Sequence, residues 1–284
     1  MTINEWSMLV QGIRDEECLL FLGAGASTVP GGQVGLPTGG ELSRQLATEC
    51  EYPGPDKSDF LRVCQYYELM QDGHRLRRSI IRKLSVPGLM PGKLHTLIAG
   101  LPIKCVITTN YDKLMELAFQ IAGKHPQVAI YDINGEPSNR SVLIAESTPL
   151  VYKLHGAMDD PSTMLCTEDD IVQFLACIIL GDPPLLPVVR QLFESHTILF
   201  IGYGLKDWNI RTMIRAMRGK KRAGWIKSFA LQRQFDTSTV AAADWQQSVL
   251  YWDKKENVRC LDIDAIPFFE ELVRRYREPA LTAP

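Results

Sequence analysis

"CLLFLGAGAST", Cys18 to Thr28, joins five apolar residues to two glycines around an alanine and then to two hydroxyl side chains. A short, continuous apolar run bounded by glycine fits a strand buried on both faces. Glycines at Gly23 and Gly25 let the turn's backbone lie close to a bound group, because no Cβ stands in the way. Two readings of the turn stay open. It is either the place where a parallel strand meets a phosphate or a tight turn with nothing bound. Compared with G-x-G-x-x-G, Thr28 stands where the third glycine would be, and the Gly/Pro-rich "VPGGQVGLPTGG" follows in place of an immediate helix. The residues at the ends of the later strands have to decide.

Further apolar runs recur along the chain: "CVITTN" (105–110), "LVYKLHG" (150–156), "TILFIGYG" (197–204), "KSFALQ" (227–232) and "VRCLDID" (258–264). Helical spacing lies between several of them. Leu114, Leu117, Ala118 and Ile121 form one stripe, and Ile210, Met213, Ile214 and Met217 another, with Gly219 as a stop. Strands alternating with helices give an α/β class: a Rossmann-like, mostly parallel sheet with helices on both faces. Residues 51–97 interrupt that rhythm. "EYPGPDKSD" is turn-rich, and "FLRVCQYYELMQDGHRLRRSIIRKL" reads as helix without an intervening strand, a small helical insertion in a single domain spanning 1–284. "LGDPPLLP" (180–187) is an irregular connection.

With 284 residues, 45% of them hydrophobic, the chain can bury one large core. A net charge of −2 argues against a protein that coats nucleic acid, and direct nucleic-acid binding is not expected. No apolar run reaches the roughly 18–20 residues that span a bilayer, so a cytoplasmic protein without a membrane partner is expected. The seven cysteines include no C-x-x-C pair, and no disulfide framework or metal site is expected of them. Arg211, Arg215 and Arg218, continuing into Lys220, Lys221 and Arg222, read as the solvated face of a helix, with a protein or nucleic-acid contact as the alternative.

Ligands of doubly wound sheets sit beyond the carboxyl ends of the strands. Four strand ends carry suitable residues. "GAGAS" offers Gly23, Ala24, Gly25 and Ser27. "TTNYD" offers Thr108, Asn110 and Asp112, more groups than the one helix cap that the site needs. "KLHG" ends in His155, which is either a satisfied structural histidine or a catalyst. "IGYG" offers Gly202, Tyr203 and Gly204, with Asp207 positioned to cap the next helix. The other histidines, His74, His95, His125 and His196, have no comparable setting, and "TEDD" (167–170) reads as a capping box.

Taken in order, "GAGAS" with the following "GLP", "TTNYD", "KLHG" and "IGYG" resemble the landmarks of the sirtuin family, over about Leu19 to Met213. The resemblance is to the zinc-free bacterial branch, whose members hydrolyse NAD in anti-phage defence. It implies a cofactor-like substrate, NAD, with Gly23, Ala24, Gly25 and Ser27 at its pyrophosphate and adjoining ribose. Thr108, Asn110 and Asp112 would stand at the nicotinamide ribose, and Gly202, Tyr203 and Gly204 at the adenosine. Asn110 and His155 would be the catalytic pair, and no metal is implied. The sequence departs from protein-deacylating sirtuins in two respects. It lacks their paired zinc cysteines, and Thr38 and Gly39 follow "GLP" where they carry an aromatic residue and an arginine.

The resemblance thus implies a regulated NAD glycohydrolase that yields nicotinamide and ADP-ribose. The alternatives are a protein deacylase and a non-catalytic sensor of NAD or ADP-ribose. Unrestrained hydrolysis would deplete the cell, so control is expected through homo-oligomerisation or a separately encoded partner. A DNA-translocating ATPase or an Argonaute-type protein is such a partner in related systems.

Overall fold

The computed structural model describes residues 1–28, 35–135, 142–204, 208–218, 226–232 and 239–278. The chain runs α1 (Ile3–Arg14), β1 (Cys18–Leu22), α2 (Gly39–Glu49), α3 (Phe60–Met70), α4 (Gly73–Leu84), α5 (Lys93–Ala99) and β2 (Cys105–Thr108). It continues through α6 (Leu114–Ile121), β3 (Gln127–Ile130), β4 (Leu150–Lys153), α7 (Glu168–Leu180), α8 (Pro187–Ser195) and β5 (Thr197–Ile201). Then come α9 (Trp208–Arg218), β6 (Ser228–Leu231), α10 (Thr239–Glu256), β7 (Val258–Leu261) and α11 (Ala265–Arg277). The strands form one parallel sheet in the order β3-β4-β2-β1-β5-β6-β7. β1 lies between β2 and β5, so strand order reverses at β1, where the crevice of such sheets opens. This is the Rossmann-like α/β class read from the apolar runs.

Both faces of the sheet are buried, which is why the strands read as continuous apolar runs. Leu19 and Phe21 of β1, Ile107 of β2 and Phe200 of β5 face a cluster completed by residues of α7, α8 and α9. Leu20, Val106, Leu199 and Ile201 face the opposite cluster, completed by α1, α5, α6 and α11. Each such side chain contributes about 1.5–3 kcal/mol when taken fully out of water. A third cluster is built mainly from α2, α3 and α4 around Leu46, Val63, Tyr67, Leu76 and Ile80. It includes Leu114 and Met164, and so sits against the carboxyl end of the sheet.

Several local readings change. The long pattern in 60–84 is two helices, because Asp72 accepts from the Arg75 amide and starts α4 afresh. β3 was not among the expected strands: it is the half-exposed edge of the sheet, and its apolar stretch, Val128–Ile130, is only three residues long. Ile121 is 59% exposed, and Met115 and Phe119 join Leu114 and Ala118 on the buried side of α6. Arg218 is not on a solvated face. It is buried and donates to the Glu256 carbonyl and to Ser228 Oγ. Thr167 and Asp170 form the expected capping box of α7. Gly219, Asp207 and Lys220 to Arg222 lie outside the described residues. Among the described residues no helix is long and apolar enough to cross a membrane.

Candidate active site

The ends of β1, β2 and β4 converge on one cleft of about 170 Å³. Ala24, Ser27, Thr109, Asn110, Asp112 and His155 line it from the sheet side. Leu36, Leu42, Phe60 and Leu84 close it from the side of α2, α3 and α4. A space of roughly 150 Å³ accommodates benzene, so the part of the cleft bounded by described residues is about the size of one ring.

Three side chains form a relay. Asn110 Nδ2 donates to the Gly23 carbonyl and to Ser27 Oγ, both at 3.1 Å. Ser27 Oγ in turn donates to Asp112 Oδ2 at 2.9 Å, and Asp112 Oδ1 accepts from the Leu114 amide. A carbonyl oxygen only accepts, so the contact with Gly23 fixes which end of the Asn110 amide is nitrogen. Both amide hydrogens are therefore engaged, and Oδ1 is left as the acceptor for a ligand. Asp112 thus accepts from the first amide of α6 with one oxygen and anchors the relay with the other.

His155 follows β4 and is held by the next residue. Gly156 has φ +85°, and a Cβ there would lie 2.2 Å from the Thr163 carbonyl oxygen. The ring packs edge-on against Phe174 at 5.0 Å and makes no hydrogen bond among the described residues. Burial lowers its pKa from 6.5 to about 4, only partly offset by the Asp170 carboxylate. A neutral imidazole able to accept a proton is the resident form.

The glycine-rich turns behave differently. The Gly23 amide donates to the Ile201 carbonyl, Gly25 to Gly202, Ala26 to Gly23 and Ser27 to Ala24. Within Gly23–Ser27 only the Ala24 amide lacks a backbone acceptor among the described residues. Gly202 has φ +75°, and a Cβ there would stand 2.4 Å from the Ala26 nitrogen. Gly23, Gly25 and Gly202 thus let two strand-end turns touch. Tyr203 lies over Gly23, and its hydroxyl bonds Thr109 Oγ1 at 2.7 Å and the Leu22 carbonyl at 3.0 Å. Gly23, Gly25, Gly202, Tyr203 and Gly204 do not line the ring-sized cleft. Thr108 does not either: its buried hydroxyl donates to Leu22 and accepts from the Asn110 amide, while its neighbour Thr109 reaches the cleft.

His95 was set aside in the sequence because it follows no strand. It is buried on α5, close enough to Asp112 for the carboxylate to counter the lowering of its pKa by burial. Its Nδ1 has no hydrogen-bond partner among the described residues. It lines a second cavity, of about 240 Å³, which shares Ser27 with the cleft. Among the described residues no three His, Cys, Asp or Glu side chains are grouped to hold a metal ion.

Comparison with known proteins follows the same landmarks. A family profile for the SIR2-like domain matches residues 104–261. The NAD(+) hydrolase ThsA of Cytobacillus dafuensis is 24% identical over 280 residues, covering 95% of this chain and 52% of that protein. ThsA of Enterococcus faecium is 27% identical over 229 residues, covering 79% and 45%. Defense-associated sirtuin 2 of Bacillus subtilis is 25% identical over 262 residues, covering 89% and 24%. The chain thus spans about half the length, or less, of these curated relatives. The matched segment contains Asn110, Asp112, His155 and Tyr203, and the chain belongs to the SIR2-like, or sirtuin-like, family.

Proposed function

We propose that this chain cleaves NAD between nicotinamide and ribose, releasing nicotinamide and ADP-ribose, as the effector part of a defence system. The observation that carries the reading is the pairing, in one ring-sized cleft, of an amide oxygen fixed by its own hydrogen bonds with a neutral imidazole that has no hydrogen-bond partner among the described residues. The names of the relatives, two NAD(+) hydrolases and a defence-associated sirtuin, support the same substrate and setting.

In the proposed reaction the bond from ribose C1′ to the ring nitrogen breaks, and its electron pair neutralises the pyridinium, so the leaving group needs no acid. The positive charge passes to the ribose as an oxocarbenium-like centre. Asn110 Oδ1 accepts from the attacking water or a ribose hydroxyl and orients it. A nitrogen of His155 takes the proton as the new C–O bond forms, then returns it to solvent. A base so placed contributes about 10²–10⁴-fold, and exclusion of bulk water by the apolar wall strengthens both polar contacts. Among the described residues of Gly23–Ser27, the Ala24 amide is the donor left for a phosphate oxygen. The rest of the dinucleotide would lie outside the ring-sized cleft.

The test is to mix purified protein with NAD and follow nicotinamide by chromatography, with and without an acetylated peptide. Release without peptide is expected. Turnover that requires the peptide would make the chain a deacylase, and tight NAD binding without release would make it a sensor. Control by self-association or by a separate partner belongs to the same proposal. It predicts that specific activity changes with protein concentration or with the partner's addition.

A further inference from the structure

Beneath the cleft lies a charged pair that the proposed chemistry does not use. Lys153, the last residue of β4, is 1% exposed, and Glu116, on the first turn of α6, is 7% exposed. The Lys153 ammonium contacts Glu116 Oε1 at 2.9 Å. It also donates to the Asp112 carbonyl and reaches the Asn110 carbonyl at 3.5 Å. An ammonium has three hydrogens, so these acceptors fully occupy it. Two of the three are main-chain oxygens of the segment that carries both Asn110 and Asp112.

A buried ion pair gives weak evidence for stability, since removing both charges from water offsets much of their attraction. Its donors, however, are directional. The segment 109–113 leaves β2 and enters α6 without regular pairing of its own. The Asn110 amide rests on Thr108 Oγ1, and the Asn110 and Asp112 carbonyls turn toward β4. Lys153 stands two residues before His155, so the same strand end carries the imidazole and holds the segment that carries the amide.

We propose that Lys153 is a positioning residue: its ammonium clamps the Asn110 and Asp112 carbonyls, fixing the amide and carboxylate in register with His155. Glu116 serves as the counter-charge that lets the ammonium stay buried. The proposal rests on the NAD-cleaving reading for its kinetic arm and on geometry alone for its structural arm.

The test compares wild type, Glu116→Gln and the double variant Lys153→Met with Glu116→Gln. The double variant removes both charges together, so no unpaired ion is left buried. Backbone hydrogen exchange of 108–114 is measured against 18–22 in the same molecule, together with kcat and KM for NAD. Glu116→Gln keeps both carbonyl contacts but leaves the ammonium without its counter-charge, so a lower global stability is expected, with the exchange of 108–114 relative to 18–22, and kcat, within about threefold of wild type. In the double variant, exchange of 108–114 should rise about tenfold or more while 18–22 is unchanged. Its kcat should fall about thirtyfold with KM within about threefold. A double variant with wild-type exchange and wild-type kcat overturns the proposal and leaves Lys153 as the partner of Glu116 only. If wild type does not release nicotinamide, the functional reading fails, yet the exchange ratio still decides the clamp. Should the methionine variant not fold, Lys153→Gln with Glu116→Gln keeps one donor. Intermediate protection is expected of it, and wild-type protection overturns the clamp.

Discussion

The two halves of the cleft rim use polar groups in opposite ways. At the β1 and β5 ends, four of the five amides from Gly23 to Ser27 bond within the protein, and glycine lets the two turns press together. At the β2 and β4 ends, the side chains of Asn110 and His155 retain an acceptor and an unpartnered ring beside the same cavity. The glycine turn therefore builds the crevice, and the polar ends across from it keep the side-chain capacity that the proposed chemistry uses. Glycines mark where backbones meet, and surplus side-chain capacity marks where the proposal seats a ligand.

The sharpest break of this comparison is to remove the polar side. His155→Ala is expected to lower nicotinamide release by about 10²–10⁴-fold, and Asn110→Ala by about 10²–10³-fold, each with a cooperative thermal transition retained. Wild-type turnover in either variant would remove that residue from the mechanism. On the glycine side, Gly202→Ala should act on folding, by about 3 kcal/mol in urea denaturation, through positive φ and the Ala26 contact. A variant of wild-type stability that had lost only NAD binding would assign that turn to the ligand instead.

The pH dependence sharpens the contrast further. With a folded-state pKa near 4, His155 stays neutral well below the ordinary imidazole value of 6.5. The unfolded chain takes up the proton first, so the contribution to stability is complete above about pH 6.5 and is lost as pH falls toward 4. The acid limb of kcat/KM is expected near pH 4, and an inflection near 6.5 would mean a more solvated ring. The smallest effect is expected of Tyr203→Phe, about 1 kcal/mol of stability from the lost bonds to Thr109 and Leu22, with KM for NAD within twofold. A tenfold rise in KM would return Tyr203 to the binding surface.

The sheet was legible because a strand buried on both faces must be apolar throughout, as β1, β2 and β5 are. β3 escaped because its apolar stretch, Val128–Ile130, is short and lies on an edge strand half open to solvent. Asn110, Asp112 and His155 could be found by looking just past the apolar runs. That rule has no purchase on Lys153, whose charge sits inside a strand pattern, or on His95, which lies on the buried stripe of α5 between Leu94 and Ile98. Arg218 was hidden in the same way, since helical spacing cannot tell a solvated cation from one bonded beneath the surface. Nor did the glycine pattern disclose that four of the turn's five amides are already occupied, two of them by the carbonyls of Ile201 and Gly202, some 180 positions away.

The two acceptors that hold the Asn110 amide have a thermodynamic consequence. Torsional freedom of that side chain is surrendered when the chain folds, so none remains to be lost when a substrate arrives. Calorimetry on variants lacking the Ser27 hydroxyl should register this as a more unfavourable entropy of association, before any bond is made or broken.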